Sequence, residues 1–247
     1  MPRFFVRQER VNDNKISIIG DDAHHIARSL RMAVGEEITV CDMQGNEYAC
    51  KIASFDDDKE VIADVLSVKR SENEPKCFIR LFQALPKGDK LDMIIQKAVE
   101  CGVGEIIPFQ SERCVVKIKN DAEDKKLERR QRIAAEAAKQ CGRSVIPEMS
   151  KSVDFAKALD MAQDSDVCLF CYEGDGTESL GGVLRGFEAK MPTSISIFVG
   201  SEGGFSVKEA NAARDAGMIM TGLGKRILRT ETASGFVLAC IVCATEL

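Results

Sequence analysis

Histidine is scarce in this 247-residue chain: there are two, and they are the neighbours His24 and His25. Hydrolysis by a Ser-His-Asp set needs a histidine beside the nucleophile, and both histidines lie in a β-rich N-terminal part, far in sequence from any glycine-rich loop. Such chemistry is therefore disfavoured. We expect the pair to contact RNA or to lie on a helix surface rather than to act as a general base.

Long apolar runs are also missing. No window reaches the length of about 18 apolar residues that indicates a membrane-spanning helix. The opening "MPRFFVRQER" does not have the pattern of a signal peptide. We therefore expect a cytoplasmic protein that is neither exported nor inserted into a membrane.

Positive charge is not in excess, since 34 Lys and Arg stand against 39 Asp and Glu, for a net charge of −5. This balance argues against broad, non-specific binding of nucleic acid. It leaves room for a local basic face, and five arginines are concentrated near the N-terminus: Arg3, Arg7, Arg10, Arg28 and Arg31.

The ten cysteines do not suggest a disulfide framework, which belongs to short secreted chains. Most lie inside apolar runs, as reduced and buried thiols do. Two C-x-x-C pairs, in "CLFC" and "CIVC", are much further apart than the pairs of ordinary zinc sites. On a strand, Cys168 and Cys171 point to opposite faces of the sheet. We therefore predict no metal site.

The pattern of the chain changes near residue 70. Before it, short β-branched strands such as "KISII" and "EITVCD" accompany one helix, "DDAHHIARSLR", which Asp21 or Asp22 can cap. This pattern indicates a small β-barrel. After the polar linker "KRSENEPK", helices alternate with apolar strands, which is typical of a mostly parallel sheet covered on both faces.

One of those helices, "DKKLERRQRIAAEAAKQCG", is strongly basic. Acidic residues are interleaved with its lysines and arginines, so we expect a solvated helix with ion pairs between successive turns. Arg143 lies beyond the Gly142 that ends the helix, and it is the member best suited to another role.

A first glycine-rich loop lies in "IFVGSEGGFSVKE", where a strand leads into residues 200–204 and a capping box from Ser206 to Glu209 opens a helix. The loop is neither G-x-G-x-x-G nor a phosphate loop, because the lysine is missing and Glu202 repels phosphate. This argues against a nicotinamide cofactor, while a glutamate suits a neutral or cationic ligand. A tight turn without a ligand is the alternative.

A second loop, "LGKRILRTET", places Arg226, Arg229 and Glu231 beside an apolar C-terminal run. Charges next to a core-forming segment are unfavourable to bury unless they are paired or used in function. Thr230 or Thr232 can cap the final helix, and a helix start with surface arginines is the alternative. Since both loops follow strands of one sheet, we expect them to line one pocket.

Five ordered segments together resemble one family: "HHIARSLRMAVGEEITVCDMQGNEY", "KGDKLDMIIQKAVECGVGEIIPFQSERCVV", "RRQRIAAEAAKQCGRSVIPE", "GSEGGFSVKE" and "LGKRILRTETA". Over essentially its whole length the chain resembles the ribosomal RNA small subunit methyltransferase E family. It departs from the family at Ser201, where proline is usual. Serine removes some stiffness from the loop but leaves its backbone contacts possible.

The resemblance implies a fold that composition does not reveal. Residues 1–71 would form a PUA-like β-barrel that binds RNA. Residues 72–247 would form an α/β domain of the SPOUT type, whose mostly parallel sheet, flanked by helices, ends in a deep C-terminal trefoil knot. It also implies a homodimer that pairs through the helices around the knot, with the run "SGFVLACIVCATEL" as part of that surface.

The resemblance further implies that S-adenosylmethionine binds in the knot and that the enzyme methylates N3 of a uracil in 16S rRNA, on the assembled small ribosomal subunit. The family's usual name gives this base as uracil 1498. The implied cofactor-binding residues are Tyr172, Glu173, Gly200, Glu202, Gly203, Leu223, Gly224, Ile227, Leu228, Arg229 and Thr232.

Uracil N3 carries a proton, so the transfer needs a general base or cations that favour the anionic base. Our hypothesis is that Arg229 polarises the uracil or stabilises its anion, and that Glu231 orients Arg229 or accepts the proton. RNA contacts are predicted for Arg3, Arg7, His25, Arg28, Arg31, Arg113 and Arg143. Two alternatives stay open: a SPOUT methyltransferase for another rRNA or tRNA position, and a non-catalytic RNA-binding factor in ribosome assembly.

Overall fold

The computed structural model describes residues 1–12, 14–56, 59–118 and 123–247. The chain forms two compact units. The first comprises Met1–Glu74 together with Ala138–Ile146, and the second comprises Pro75–Ala137 together with Pro147–Leu247. The first unit thus includes a short segment that is distant in sequence.

The described part of the first unit contains one sheet. Its strands are β1 (Arg3–Phe5), β2 (Val11–Asn12), β3 (Lys15–Ile19), β4 (Glu37–Cys41), β5 (Asn46–Asp56) and β6 (Glu60–Arg70). Their order in the sheet is β1-β4-β5-β6-β3-β2. β1 pairs with β4 in parallel, and the other neighbours pair antiparallel. A 3-10 helix lies at Gln8–Arg10, and α1 (Asp21–His24) continues as a π-helical turn at His25–Ser29.

Alternating apolar side chains on these strands form the core of the first unit. Ile16 and Ile18 of β3 are buried while their neighbours along the strand are not, as the two-residue period of a strand requires. Phe4, Ile38 and Ile52 pack in the same core. β5 and β6 are eleven residues long each, and are the longest strands of this sheet.

The predicted cap of the first helix is wrong. Asp21 and Asp22 lie within the first turn of α1, and the residue before the helix is Gly20, which provides no side-chain cap. Gly20 has φ +69, a left-handed conformation that glycine adopts without strain. The chain can therefore turn from β3 directly into the helix.

Residues 138–146 are tied into the first unit by one carboxylate. Glu74 Oε2 accepts from Arg143 Nη2 at 2.7 Å and from Nε at 3.1 Å, and Glu74 Oε1 accepts from the backbone N–H groups of Ser144 (2.7 Å) and Val145 (3.1 Å). The Arg143 side chain is buried. A buried charge pair is tolerated when hydrogen bonds satisfy both partners, and here they do so for Glu74.

The second unit alternates strands and helices. Its elements are β7 (Phe78–Ala84), α2 (Lys90–Glu100), β8 (Glu105–Gln110), α3 (Glu123–Cys141, whose last turn belongs to the first unit), β9 (Glu148–Met149), β10 (Val153–Asp154), α4 (Phe155–Ala162), β11 (Val167–Cys171), β12 (Glu178–Ser179), α5 (Leu180–Arg185), β13 (Ser194–Val199), α6 (Val207–Asp215), β14 (Ile219–Gly222) and α7 (Thr230–Glu246). A 3-10 helix at Gly186–Glu188 follows α5.

Among the described residues, every strand pair of this second sheet is parallel. The order is β10-β8-β7-β13-β11-β14-β12, with β9 also beside β8. The mostly parallel sheet that the sequence predicted is therefore confirmed. Parallel neighbours need crossover connections, and the helices of this unit provide them.

Phenylalanines from adjacent strands stack on one face of this sheet. Phe82 is the register partner of Phe198, and Phe198 is the register partner of Phe170. The rings of Phe82 and Phe198 are almost parallel, with centroids 4.5 Å apart. All three side chains are fully buried. This packed layer supports the loops that leave the carboxyl ends of β11 and β13.

After β14 the chain returns across the sheet. β14 lies beside β11 and β12, whereas α7 packs against α2, the helix that follows β7. The connecting residues 223–229 therefore cross the carboxyl ends of β11 and β13. This return is the segment for which the family resemblance implies a trefoil knot.

All ten cysteines are free thiols. Burial raises the pKa of Cys41 to about 11 and that of Cys50 to about 12, so both stay protonated and unreactive at neutral pH. The described residues bring no three His, Cys, Asp or Glu side chains together in a way that could hold a metal ion. Nor does any helix among them have both the length and the apolar character to cross a bilayer.

Glu74→Gln is expected to lower the free energy of unfolding by about 1–3 kcal/mol, because the buried Arg143 loses its charged acceptor. Denaturant unfolding followed by circular dichroism measures the change. Glu72→Gln alters an exposed residue two positions away and is the matched control, with an expected change below about 0.5 kcal/mol. Equal losses in the two variants would contradict the role of Glu74.

Candidate functional site

Three loops meet at the carboxyl ends of adjacent strands in the second unit. Residues 172–177 follow β11, residues 200–205 follow β13, and residues 223–229 follow β14. This edge of a parallel sheet is where open α/β folds bind ligands. The loops enclose a cavity of about 940 Å³, which is in the range of small-molecule and cofactor sites. The predicted single pocket is therefore present.

The loop at 200–204 contains a tight turn, and the aromatic side chain that follows it packs into the core. Gly204 N donates to Ser201 O at 2.9 Å, and Gly204 has φ +61. The next residue, Phe205, packs on Phe170 with ring centroids 4.1 Å apart. Ser201 Oγ is buried and has no hydrogen-bond partner among the described residues. Serine thus keeps the backbone turn at this position without using its hydroxyl.

Arg113 packs directly against the same loop. A Cβ atom at Gly203 would lie 3.0 Å from Arg113 Cβ and 3.3 Å from its carbonyl oxygen, so only glycine allows this approach without a shift. Arg113 Nη1 also donates to Gly203 O at 3.1 Å. The guanidinium is thereby held on the cavity wall.

The loop at 223–229 presents both apolar and basic side chains to the cavity. Gly224 has φ +112, which a residue with a side chain rarely adopts. Ile227 is 82% exposed, Leu228 is half-buried and Arg229 is exposed. These side chains are not used by the core of the fold and are available to a ligand.

A buried polar cluster holds the start of α7 on the sheet. Gln83 is the register partner of Val199 at the end of β13. Its Nε2 donates to Thr230 Oγ1 at 2.9 Å, and its Oε1 accepts from Ser234 Oγ at 2.5 Å. Thr230 Oγ1 in turn donates to Gly200 O at 2.6 Å. The cluster therefore joins β7, the 200–204 loop and α7.

Of the two helix caps predicted in this region, one is correct. Ser206 Oγ accepts from Glu209 N, and Glu209 Oε2 accepts from Ser206 N, which confirms the capping box. The predicted cap of α7 by Thr230 or Thr232 is wrong, because the residue before the helix is Arg229 and no side-chain cap is made. The hydroxyl of Thr230 donates to the neighbouring loop instead.

Lys90 controls the charge at one side of the cavity. Its Nζ lies 2.8 Å from Glu202 Oε1 and 3.6 Å from Glu231 Oε2. The hydrogen bond to Glu202 raises the pKa of Lys90. Burial acts to raise the pKa of Glu202, but the bonds from Lys90 and from backbone N–H groups, including that of Lys87, lower it overall. Both partners are therefore charged at neutral pH.

Glu231 is less well satisfied than Glu202. Its Oε2 is buried and accepts no hydrogen bond from the described residues. At 3.6 Å, its contact with Lys90 is an ion pair that is too long for a good hydrogen bond. Among the described residues, Lys90 is the cation found within 4.0 Å of this carboxylate, and the N-terminus of α7 also favours its negative charge.

Most of the predicted cofactor-binding residues line the cavity: Tyr172, Glu173, Gly200, Glu202, Gly203, Leu223, Gly224, Ile227, Leu228 and Arg229. Thr232 is not part of the lining, and it is exposed in the first turn of α7. Glu231 does not line the cavity either, but it contacts Lys90, which does line the cavity. The roles of all these residues stay predictions.

The basic residues predicted to bind RNA have different surroundings. Arg113 lines the cavity. Arg3 Nη1 lies 2.9 Å from Glu47 Oε1 in a largely buried ion pair, and Arg143 pairs with Glu74. The other four are exposed in the first unit: Arg7, His25, Arg28 and Arg31. RNA contact stays a prediction for all seven, and Arg3 and Arg143 already have partners within the fold.

Two residues of this region, Gln83 and Lys90, were not predicted from the sequence. Each leaves a weak signal there. Gln83 is a polar residue inside the apolar strand "CFIRLFQAL", and a buried amide needs partners. Lys90 begins a helix, where the helix dipole disfavours a positive charge.

Both parts of the chain match known proteins. Residues 72–242 match a family model described as an RNA methyltransferase domain, and residues 18–66 match one described as an RNA methyltransferase PUA domain. A Bacillus subtilis protein named ribosomal RNA small subunit methyltransferase E is 35% identical over 252 residues, which cover 100% of this chain and 98% of that protein.

Solved structures agree with these matches. The Neisseria gonorrhoeae ribosomal RNA small subunit methyltransferase E, bound to S-adenosyl methionine, has a TM-score of 0.84 at 30% identity, covering 98% of this chain and 97% of that one. A putative methyltransferase from Legionella pneumophila, in complex with the same cofactor, has a TM-score of 0.85 at 29% identity, with the same coverage of 98% and 97%.

The parallel sheet, the loops at its carboxyl edge and these matches place the fold in the SPOUT class of RNA methyltransferases, with a PUA-like N-terminal part. The similarity to the Bacillus subtilis protein extends over the whole chain. The chain belongs to the ribosomal RNA small subunit methyltransferase E family. The family and the fold class predicted from the sequence are therefore confirmed.

Gln83→Leu is expected to lower the free energy of unfolding by about 1–3 kcal/mol, because the buried hydroxyls of Thr230 and Ser234 lose a shared partner. Denaturant unfolding measures the loss. Gln163→Leu makes the same chemical change at an exposed residue and should be nearly neutral. A Gln83→Leu variant as stable as this control would contradict the role of the cluster.

Proposed function

We propose that this protein transfers the methyl group of S-adenosylmethionine to ribosomal RNA, and specifically to N3 of the uracil in 16S rRNA that the family's usual name designates, on the small ribosomal subunit. The observation that carries the proposal is the cavity at the carboxyl edge of the parallel sheet. Its lining combines glycine backbone, apolar side chains and cations in the loops to which the resemblance assigns cofactor and base. The names of the similar proteins support the same activity.

The cavity residues fit S-adenosylmethionine. Ile227 and Leu228 offer apolar contact to an adenine ring, and the backbone at Gly200 and Gly224 offers N–H and C=O groups, as small-molecule pockets do. The Glu202 carboxylate supplies negative charge that is compatible with a sulfonium. Since Lys90 fixes Glu202 in place, this charge is held at a defined position.

When bound, S-adenosylmethionine supplies a methyl group whose bond to sulfur breaks as its bond to N3 forms, with the electron pair left on a neutral sulfur. The protein must hold the base in line with that methyl group, and alignment alone contributes several kcal/mol to catalysis. The N3 proton must leave the uracil. Because N3 lies on the pairing edge, the base must be unpaired or flipped out.

We assign stabilisation of the uracil anion to Arg229. It is exposed on the cavity wall immediately before α7, where a cation can face the developing charge on O2 or O4. We assign the orienting or proton-accepting role to Glu231, in the first turn of that helix. Docking of the RNA is assigned mainly to the exposed residues Arg7, His25, Arg28 and Arg31, with Arg113 at the cavity.

We further propose that the protein is a homodimer in the cytoplasm, where ribosomal subunits are found. α7 exposes Phe236 at 41%, and Ala239 and Cys243 are exposed three and seven residues further on, on the same side of the helix. α2, which packs against α7, exposes Met93 at 49%. Such apolar surface suits pairing of identical subunits. A monomeric mass in sedimentation velocity would contradict it.

The decisive experiment measures transfer of a labelled methyl group to small ribosomal subunits from an unmodified strain and maps the labelled nucleotide. Label on N3 of the expected uracil supports the proposal. Label on another nucleotide would indicate another SPOUT specificity. Subunit binding without transfer would indicate a non-catalytic assembly factor.

In the same assay, Arg229→Ala is expected to lower the single-turnover rate by roughly 100-fold or more, because the cation proposed to face the uracil is lost. Arg185→Ala, at an exposed arginine of α5, is the matched control. An unchanged rate for Arg229→Ala would remove the assignment of Arg229.

The triple variant Arg7→Ala, Arg28→Ala, Arg31→Ala is expected to weaken binding to small subunits and to flatten its salt dependence, by roughly one unit of slope for each phosphate that is no longer neutralised. Binding measured over a series of salt concentrations gives both values. Alanine at the exposed Lys15, Lys51 and Lys59 removes the same charge elsewhere in the first unit. If both triple variants behave alike, these arginines form no specific RNA surface.

A further inference from the structure

Lys90 occupies a position where the helix itself disfavours it. It is the first residue of α2, and the partial positive charge at a helix N-terminus repels an ammonium group. β7 and the short connection after it bring this residue to the carboxyl edge of the sheet, where it lines the cavity. Groups outside the helix must therefore hold Lys90 there.

Those groups are two carboxylates from separate segments of the chain. Glu202 belongs to the loop after β13, and Glu231 belongs to the first turn of α7. Both lie within 4.0 Å of the one Lys90 nitrogen, at 2.8 and 3.6 Å. The three side chains are partly shielded, with 30% of Lys90, 30% of Glu202 and 15% of Glu231 exposed. Glu231 is therefore the partner of Lys90 that is better shielded from solvent.

Removing the ammonium group would leave the two carboxylates near each other without this cation. Like charges that share a site do not both stay ionised easily, so the pair would take up a proton at higher pH. Other charged side chains also line this cavity, namely Arg113, Glu173, Lys225, Arg226 and Arg229. Lys87 gives Glu202 a backbone N–H. No ion pair of Arg229 or Lys87 with either carboxylate is found in the described residues.

We infer that Lys90 is a positioning residue for the methyl transfer. Its ammonium group holds Glu202, in the 200–204 loop, and Glu231, in the first turn of α7, together by contacting both carboxylates. Its catalytic consequence rests on the proposed function. A protonated pair would neither present a fixed charge to a sulfonium nor orient Arg229 or accept the N3 proton. Lys90 thus links the part of the site that faces the cofactor to the part that faces the base.

The test compares Lys90→Met and Lys90→Arg with the wild type in single-turnover methyl transfer to small subunits, over roughly pH 5 to 9. Lys90→Met should lower the rate at neutral pH about tenfold and shift the acid limb of the profile upward by about one pH unit. Lys90→Arg keeps the charge and should keep the wild-type profile. Lys97→Met, on the exposed side of the same helix, is the control and should change neither value.

A slower Lys90→Met variant with an unshifted profile would overturn the inference, since poorer packing alone lowers the rate without moving the titration. If methionine prevents folding, Lys90→Gln replaces it, because glutamine keeps a polar head without the charge. The same shift is expected for it, and a profile equal to that of the wild type would count against Lys90.

Thermal unfolding gives a readout that does not need catalysis. In the wild type the lowered pKa of Glu202 contributes stability above its unfolded pKa, and this contribution is lost as the pH falls through the folded pKa. In Lys90→Met the two carboxylates bind a proton more readily in the folded state. Acidification therefore raises the stability of this variant relative to that of the wild type. The difference in Tm between the wild type and Lys90→Met should therefore become smaller as the pH falls from roughly 7 to 4.5.

A Tm gap that stays constant with pH, as expected for Lys97→Met, would overturn the inference. Failure of the proposed function is a separate outcome, recognised by a wild-type protein that transfers no methyl group. In that case the pH dependence of the Tm difference alone decides whether the Lys90 charge holds the two carboxylates together.

Discussion

The side-chain amide of Gln83 is buried at the end of β7, and it holds in place the segments on which the candidate site depends. Its nitrogen donates to Thr230 and its oxygen accepts from Ser234, while Thr230 donates onward to Gly200 O. An amide has donors and an acceptor in one rigid group, so a single side chain satisfies two buried hydroxyls. The 200–204 loop and the start of α7 are thereby fixed to the same strand. The same hydrogen bonds therefore also fix the parts of the cavity wall that these segments form.

In both units of this acidic protein, some basic residues form ion pairs with carboxylates of the same unit. In the first unit Arg3 pairs with Glu47 and Arg143 with Glu74, and these buried pairs hold the fold. In the second unit Lys90 holds two carboxylates beside the cavity. Basic residues are therefore divided between those with buried partners inside the fold and those with exposed side chains. A net charge of −5 is compatible with the proposed RNA binding because such binding needs only a local set of exposed cations.

Local signals in the sequence predicted most of the elements. The helices over "KLDMIIQKAVE" and "EDKKLERRQRIAAEAAKQC" follow from apolar periodicity and from the glycines that end them. The capping box at Ser206 lies within four residues, so it could be read directly. The caps of α1 and α7 could not be predicted from the sequence. Near each helix start, several polar residues could act as the cap, and the choice among them depended on partners distant in sequence. Thr230 donates to Gly200 O rather than capping its own helix.

Sequence alone was enough for the longer strands and helices, the two glycine-rich loops and the family, because these depend on residues close together or on motifs in a fixed order. It did not indicate the short elements β9, β10, β12 and α5. Which charges and amides pair was settled by the folded chain. Gln83 and Thr230 are 147 residues apart, and Lys90 and Glu202 are 112 residues apart. No periodicity records contacts over such separations. They arise because the parallel sheet places β7 beside β13 and the chain returns from β14 to lay α7 against α2.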